Sequence, residues 1–166
     1  RRRNSRLRNI RNENMNVHNI VEQTVHKYDT RSPYELAERM GIIVQKNDLG
    51  AVRGYYFKKY RIKQIILHND LTESDERFVM AHEIGHAVMH EDVNTPFLMG
   101  NTLFSKNKFE REANLFAIEL LVPDETIIEN PDLTLEQLAR MTGYQEELLR
   151  CKGIIRKMRD RNEICM

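Results

Sequence analysis

The sequence predicts an α+β fold, and three observations carry that prediction. Runs rich in β-branched and aromatic residues at Ile42–Gln45, Val52–Phe57 and Ile62–His68 follow one another with only short turns between them. No helix alternates with these strands, which argues against a doubly wound sheet. Apolar residues at helical spacing return on both sides of the three runs. The expectation is a small antiparallel sheet flanked by helices.

The elements follow in order. Residues 1–14 hold six Arg and one Glu, with few apolar residues and no period, so they form a basic extension expected to be disordered. A nucleic-acid arm is the alternative. Met15 opens the recognisable pattern. Val17, Ile20, Val21, Val25 and Tyr28 then recur on one face of a first helix. Ser32-Pro33-Tyr34-Glu35 has the form of a capping box with Pro in the first turn, and Gly41 stops the short helix it starts. Asn47–Gly50 and Lys58–Arg61 supply turns between the strands. Thr72 or Ser74 caps a long helix running to about His90. A loop with Thr95-Pro96 and Gly100 leads to a helix from about Asn107 to Leu121, stopped by Pro123. From Asp124 the chain forms two or three short helices with a basic end.

Bulk composition excludes several classes. With 40% hydrophobic residues, the 166-residue chain can bury a core. No run approaches the roughly 18 consecutive apolar residues of a membrane helix. No apolar stretch follows the Arg-rich start, as it would in a secretory leader. Two cysteines, Cys151 and Cys165, are too few for a disulfide framework, so a cytoplasmic location is expected. The formal net charge of +1 averages two unlike parts: the first 14 residues carry +5 and the remainder −4. A basic pI is therefore no sign of a nucleic-acid-binding body.

Chemistry concentrates in Phe78–His90, FVMAHEIGHAVMH. The apolar residues surround this helix, so it should be buried, and Glu83 within it needs a use. His82 and His86, four residues apart, lie about 40° apart on one face and about 6 Å along the axis, so both imidazoles can reach one ion. With Glu83 this is H-E-x-x-H, in which two His bind zinc and Glu is the general base. Zinc needs a third protein ligand and an open position. His90 is about 12 Å along the helix from His82, too far for both to bind one ion, and the third-His spacing of metzincins falls on Asp92. His90 is instead a residue facing the ligands or substrate, or a satisfied helix-end histidine.

The third ligand is expected in Lys108–Pro123. On a helical wheel with Glu110 at zero, Phe109, Ala113, Phe116, Ala117, Leu120 and Leu121 span about −120° to +20°. Glu110 lies inside this arc, whereas Glu112 and Glu119 fall on the opposite, polar side. Glu110 is thus the buried carboxylate; the alternative is an ion pair with Arg77 or Lys106. Ala113 and Ala117 permit close approach to the histidine helix, and Asn114, about 40° away, can hydrogen-bond a ligand histidine.

HEIGHAVMH followed, 24 residues after His86, by EREANLFAIELLVP resembles the ImmA/IrrE family of bacterial and phage metallopeptidases, from about Met15 to Pro123. The resemblance implies a zincin-like fold over residues 15–123, zinc on His82, His86 and Glu110, and Glu83 as the catalytic residue. It also implies a substrate class, helix-turn-helix repressors, whose cleavage derepresses mobile elements or stress genes. Asn114 stands where relatives often have Asp, which alters hydrogen bonding around the metal rather than its binding. Candidates for stabilising the oxyanion are His90, Tyr55, Tyr56 and Tyr144. If Val52–Phe57 is an edge strand, it can hold an extended substrate by strand addition.

In the C-terminal segment, residues 124–166, Leu138, Ala139, Gly143 and Leu149 match helix-turn-helix positions. Thr142 and Lys152 stand where such motifs want apolar residues. A helical hairpin packed on the core is the favoured reading. The basic run Arg150, Lys152, Arg156, Lys157, Arg159 and Arg161 reads as a solvated face, Cys151 as a packing residue and Cys165 as a tail thiol. Two functions compete: a zinc endopeptidase acting on a repressor, and a DNA-binding or repressor-sequestering regulator with a vestigial metal site.

Overall fold

The computed structural model describes residues 16–91, 97–98, 108–153 and 155, the last pair of β residues by backbone alone. The basic head, Met15, Asp92, Thr95-Pro96, Gly100, Lys106, Asn107, Cys165 and the basic run from Arg156 onward lie outside these.

Helix α1 (16–28) buries Val17, Val21 and Thr24, with Ile20, Val25 and Tyr28 partly buried, the face its spacing predicts. The Thr24 hydroxyl donates to the Ile20 carbonyl at 2.7 Å, so its burial leaves no orphan group. In α2 (Pro33–Arg39), Ser32 Oγ accepts from the Glu35 N–H, but the capping box forms by half. The Ser32 N–H goes to Thr30 Oγ1, and the Glu35 carboxylate pairs with Arg39. Gly41, at φ +67, ends the helix.

Strands β1 (Ile42–Asn47), β2 (Val52–Lys59), β3 (Ile62–His68) and β4 (Phe97–Leu98) form a sheet in the order β1-β3-β2-β4. The sheet is mixed rather than antiparallel as expected: β1 pairs parallel with β3, while β2 pairs antiparallel with both β3 and β4. The two turns explain the difference. Tyr60 and Arg61 both have positive φ, matching the two-residue hairpin that pairs Lys59 with Ile62. The earlier turn has only Gly50 in that region, closes no hairpin, and leaves β1 beyond β3.

Helix α3 (Glu73–Met89) is capped by Thr72, which accepts from the Asp75 N–H, and carries Glu73, Asp75 and Glu76 in its first turn, where the helix dipole favours acids. Phe78 through Ala87 are all buried, as the apolar surround predicts. A glycine on each side permits this. A Cβ on Gly54 of β2 would lie 2.6 Å from Val79, and one on Gly85 would lie 3.1 Å from Phe116. The helix is therefore pressed between the sheet and α4 (Lys108–Leu121).

Helix α4 departs from its wheel. Ala113, Phe116, Ala117 and Leu120 are buried as expected, but so is Glu119, at 3% exposure, on the face assigned to solvent. Burial there comes from α1, Arg31 and the turn after α7. Lys152 Nζ, itself fully buried, sits 2.5 Å from Glu119 Oε2 and 2.9 Å from Asp124 Oδ1. His18 Nδ1 reaches the same Glu119 oxygen at 3.1 Å, and Arg31 donates to the Glu119 carbonyl. Lys152, read as part of a solvated basic face, is instead the cation at the centre of a buried cluster.

Beyond Pro123 come α5 (Asp124–Ile128), α6 (Leu135–Thr142) and α7 (Glu146–Leu149). Thr134 and Gln137 make a complete capping box on α6, and Gly143, at φ +76, closes it. Ile127, Leu138, Leu148, Leu149 and Ile155 join the same apolar core as Val17, Leu36, Ile65 and Ile84. No helix among the described residues is long and apolar enough to cross a membrane.

Candidate metal centre

Three side chains from two helices converge at the α3–α4 interface. His82 and His86 project from adjacent turns of α3, and Glu110 from the first turn of α4. His82 Nε2 lies 3.4 Å and His86 Nε2 3.3 Å from the Glu110 carboxylate, and the two Nε2 atoms are 3.1 Å apart. The two histidines are 0% and 1% exposed, so water does not screen them. Arg77, offered by the sequence as an ion-pair partner for Glu110, does not take that role; among the described residues the carboxylate faces the two imidazoles.

The donor set fits a cation. The His82 Nδ1–H donates to Asn114 Oδ1 at 2.9 Å, which leaves the Nε2 lone pair facing inward. That lone pair meets a second imidazole nitrogen and a carboxylate, and among the described residues Glu110 Oε1 and His86 Nδ1 have no hydrogen-bond partner. Three acceptors crowded into a dry site repel unless something positive lies between them. Two imidazoles and one carboxylate match catalytic zinc sites, in which three protein ligands leave the fourth position open.

The electrostatics agree. Burial alone would raise the Glu110 pKa, but the two imidazoles beside the carboxylate outweigh it and hold the group at about 2, ionised. Burial pushes His82 below its ordinary value, toward the neutral imidazole that metals require.

Glu83, next to His82 on α3, reaches toward strand β2. Its Oε2 accepts from the Tyr56 N–H at 2.7 Å, and among the described residues its Oε1 has no hydrogen-bond partner. Burial drives its pKa well above the ordinary carboxylate value; the Tyr56 hydrogen bond opposes this and the charge on Glu110 adds to it. Sequence reasoning nominated the Tyr56 phenol, but the phenol is packed in the core, 1% exposed, and the group that meets Glu83 is the backbone N–H. No side-chain pattern signals that contact. Among the described residues β2 borders β4 at Val52 and Gly54, and the next amide facing that way, at Tyr56, meets Glu83.

The remaining candidates separate. Tyr55 lies on the opposite sheet face, its ring beside Phe57 at 5.7 Å, away from the histidines. Tyr144 packs on Phe78, one turn before His82, with ring centroids 6.1 Å apart. His90 ends α3 with its ring 5.9 Å from that of His86. Its Nε2 lies 3.1 Å from Glu112, so Glu112, read as solvated, has a histidine partner. A second group with metal-like spacing, His18, Glu119 and Asp124, has the Lys152 ammonium at its centre.

A peptidase family model described as the IrrE N-terminal-like domain matches residues 37–150. The chain is 39% identical over 137 residues to uncharacterized immunity region protein 2 of Bacillus phage phi105, covering 81% of this chain and 87% of that protein. It is 31% identical over 109 residues to metallopeptidase ImmA of Bacillus subtilis strain 168, covering 66% of this chain and 64% of that protein.

Proposed function

The chain belongs to the ImmA/IrrE family of metallopeptidases, and on that premise we propose that it is a zinc-dependent endopeptidase that cleaves a helix-turn-helix transcriptional repressor. The observation that carries the reading is the convergence of His82, His86 and Glu110, with Glu83 buried next to His82 on the same helix. The phage immunity-region relative supports a protein substrate that controls a mobile element.

His82, His86 and Glu110 would hold the metal in a zincin-like core, with Asn114 fixing the His82 ring. Bound zinc supplies Lewis acidity, lowering the pKa of water and polarising the scissile carbonyl. Glu83 takes a proton from the attacking water and returns it to the departing amine. The Tyr56 N–H orients Oε2 and leaves Oε1 to face the reaction.

The competing DNA-binding reading finds little support in the described C-terminal residues. Helix α7 opens with Glu146 and Glu147, which repel phosphate, Arg150 pairs with Glu146, and Lys152 is buried. The proposal is tested by incubating the zinc-loaded chain with the purified helix-turn-helix repressor encoded beside its gene. Wild type should cleave the repressor, and Glu83→Gln should slow cleavage by roughly 100- to 10,000-fold. A repressor left equally intact by both proteins would refute it.

A further inference from the structure

We propose that His90 is a positioning residue for Glu110: it grips the first turn of α4 on both sides of that carboxylate and sets its reach toward the metal. The proposal rests on the metal-centre reading above.

Among the described residues Glu110 has no polar anchor apart from the two histidines, the groups that would share its metal. It also sits in the first turn of α4, where backbone N–H groups lack intrahelical partners. Where Glu110 points therefore depends on what holds that turn.

His90 holds it from α3. Its backbone N–H donates to the His86 carbonyl at 2.8 Å, continuing the helix that carries both histidine ligands. Its ring packs against Phe109 with centroids 4.7 Å apart, and its Nε2 lies 3.1 Å from Glu112 Oε2. Phe109 precedes Glu110 and Glu112 follows it by two residues, so one imidazole touches the chain on either side of the ligand. The His90 and Glu112 side chains are only 10% and 18% exposed, so the pair is better shielded than a surface ion pair. Lys108 Nζ, 3.5 Å from Glu112 Oε1, holds the other oxygen of that carboxylate.

The same contacts argue against a direct role on substrate. The ring's Nε2 is buried against Glu112. That nitrogen faces Glu112 rather than an oxyanion, which was one of the roles the sequence left open for His90. His90 acts through Glu110.

Zinc affinity, measured by competition with a chromophoric chelator, and the visible absorption of the cobalt(II) form test this role, with the melting temperature of the metal-free protein recorded alongside. His90→Ala should weaken zinc binding by roughly 10- to 100-fold and perturb the cobalt spectrum, while the metal-free melting point stays near that of wild type. His90→Gln, which keeps a donor for Glu112, should recover most of the affinity. Adding Glu112→Gln to His90→Ala should cost little more, because both act through one contact. Wild type that binds zinc while His90→Ala binds within twofold of it would overturn the positioning role alone. So would a loss of affinity that His90→Gln fails to relieve. Wild type that takes up no zinc would overturn the metal-centre reading as well.

Discussion

Asn114 shows how one side chain decides what a histidine can do. By accepting from His82 Nδ1 it fixes the tautomer and turns Nε2 toward His86 and Glu110. Asn114→Ala should therefore weaken zinc binding by roughly 10- to 100-fold, whereas Asn114→Asp, which keeps the acceptor, should bind at least as tightly as wild type. Equal affinity of the Ala variant and wild type in a chelator competition would show that the hydrogen bond is incidental. This contact was legible in the sequence because Asn114 lies next to the apolar arc on α4, four residues from Glu110. The His82–His86 pair was legible for the same reason, since i and i+4 share a helix face. The Tyr56 amide on Glu83 was not, because backbone groups leave no trace in residue identity.

At the scale of elements, α4 defines how far a helical wheel can be trusted. Its apolar arc correctly singled out Glu110, but a wheel cannot tell solvent from a second layer of protein. Glu119, opposite the arc, is buried by α1 and the chain after α7, and its charge is met by Lys152. Lys152→Ala would leave Glu119 and Asp124 without their cation in a nearly dry site. We expect it to destabilise the fold by about 3–5 kcal/mol, and the double change Lys152→Met with Glu119→Gln to recover a substantial part of that. Urea unfolding measures both, and a single variant within 1 kcal/mol of wild type would mean the cluster is wetter than its geometry indicates. The sheet carries a parallel lesson. All three long strands were legible from their β-branched runs, but the parallel pairing of β1 with β3 was not. Strand order depends on which turn closes a hairpin, and only the Tyr60-Arg61 pair adopts that conformation.

For the molecule as a whole, the α+β arrangement places a dry, acceptor-rich site where α3, pressed onto the sheet by Gly54, meets α4 at Gly85. The C-terminal helices share the core with α1, α2 and α3, and the Lys152 cluster ties the last described turn to the helix that carries Glu110. The net charge of +1 conceals all of this, since the functional carboxylates are few and their effect depends on burial rather than number. The central claim is that His82, His86 and Glu110 form one metal site. Elemental analysis of zinc-reconstituted, desalted protein tests it most directly. Wild type and Glu83→Gln should each retain one zinc per chain, and His86→Ala and Glu110→Ala should retain essentially none. Metal-free wild type, or metal kept in full by both ligand variants, would contradict the account.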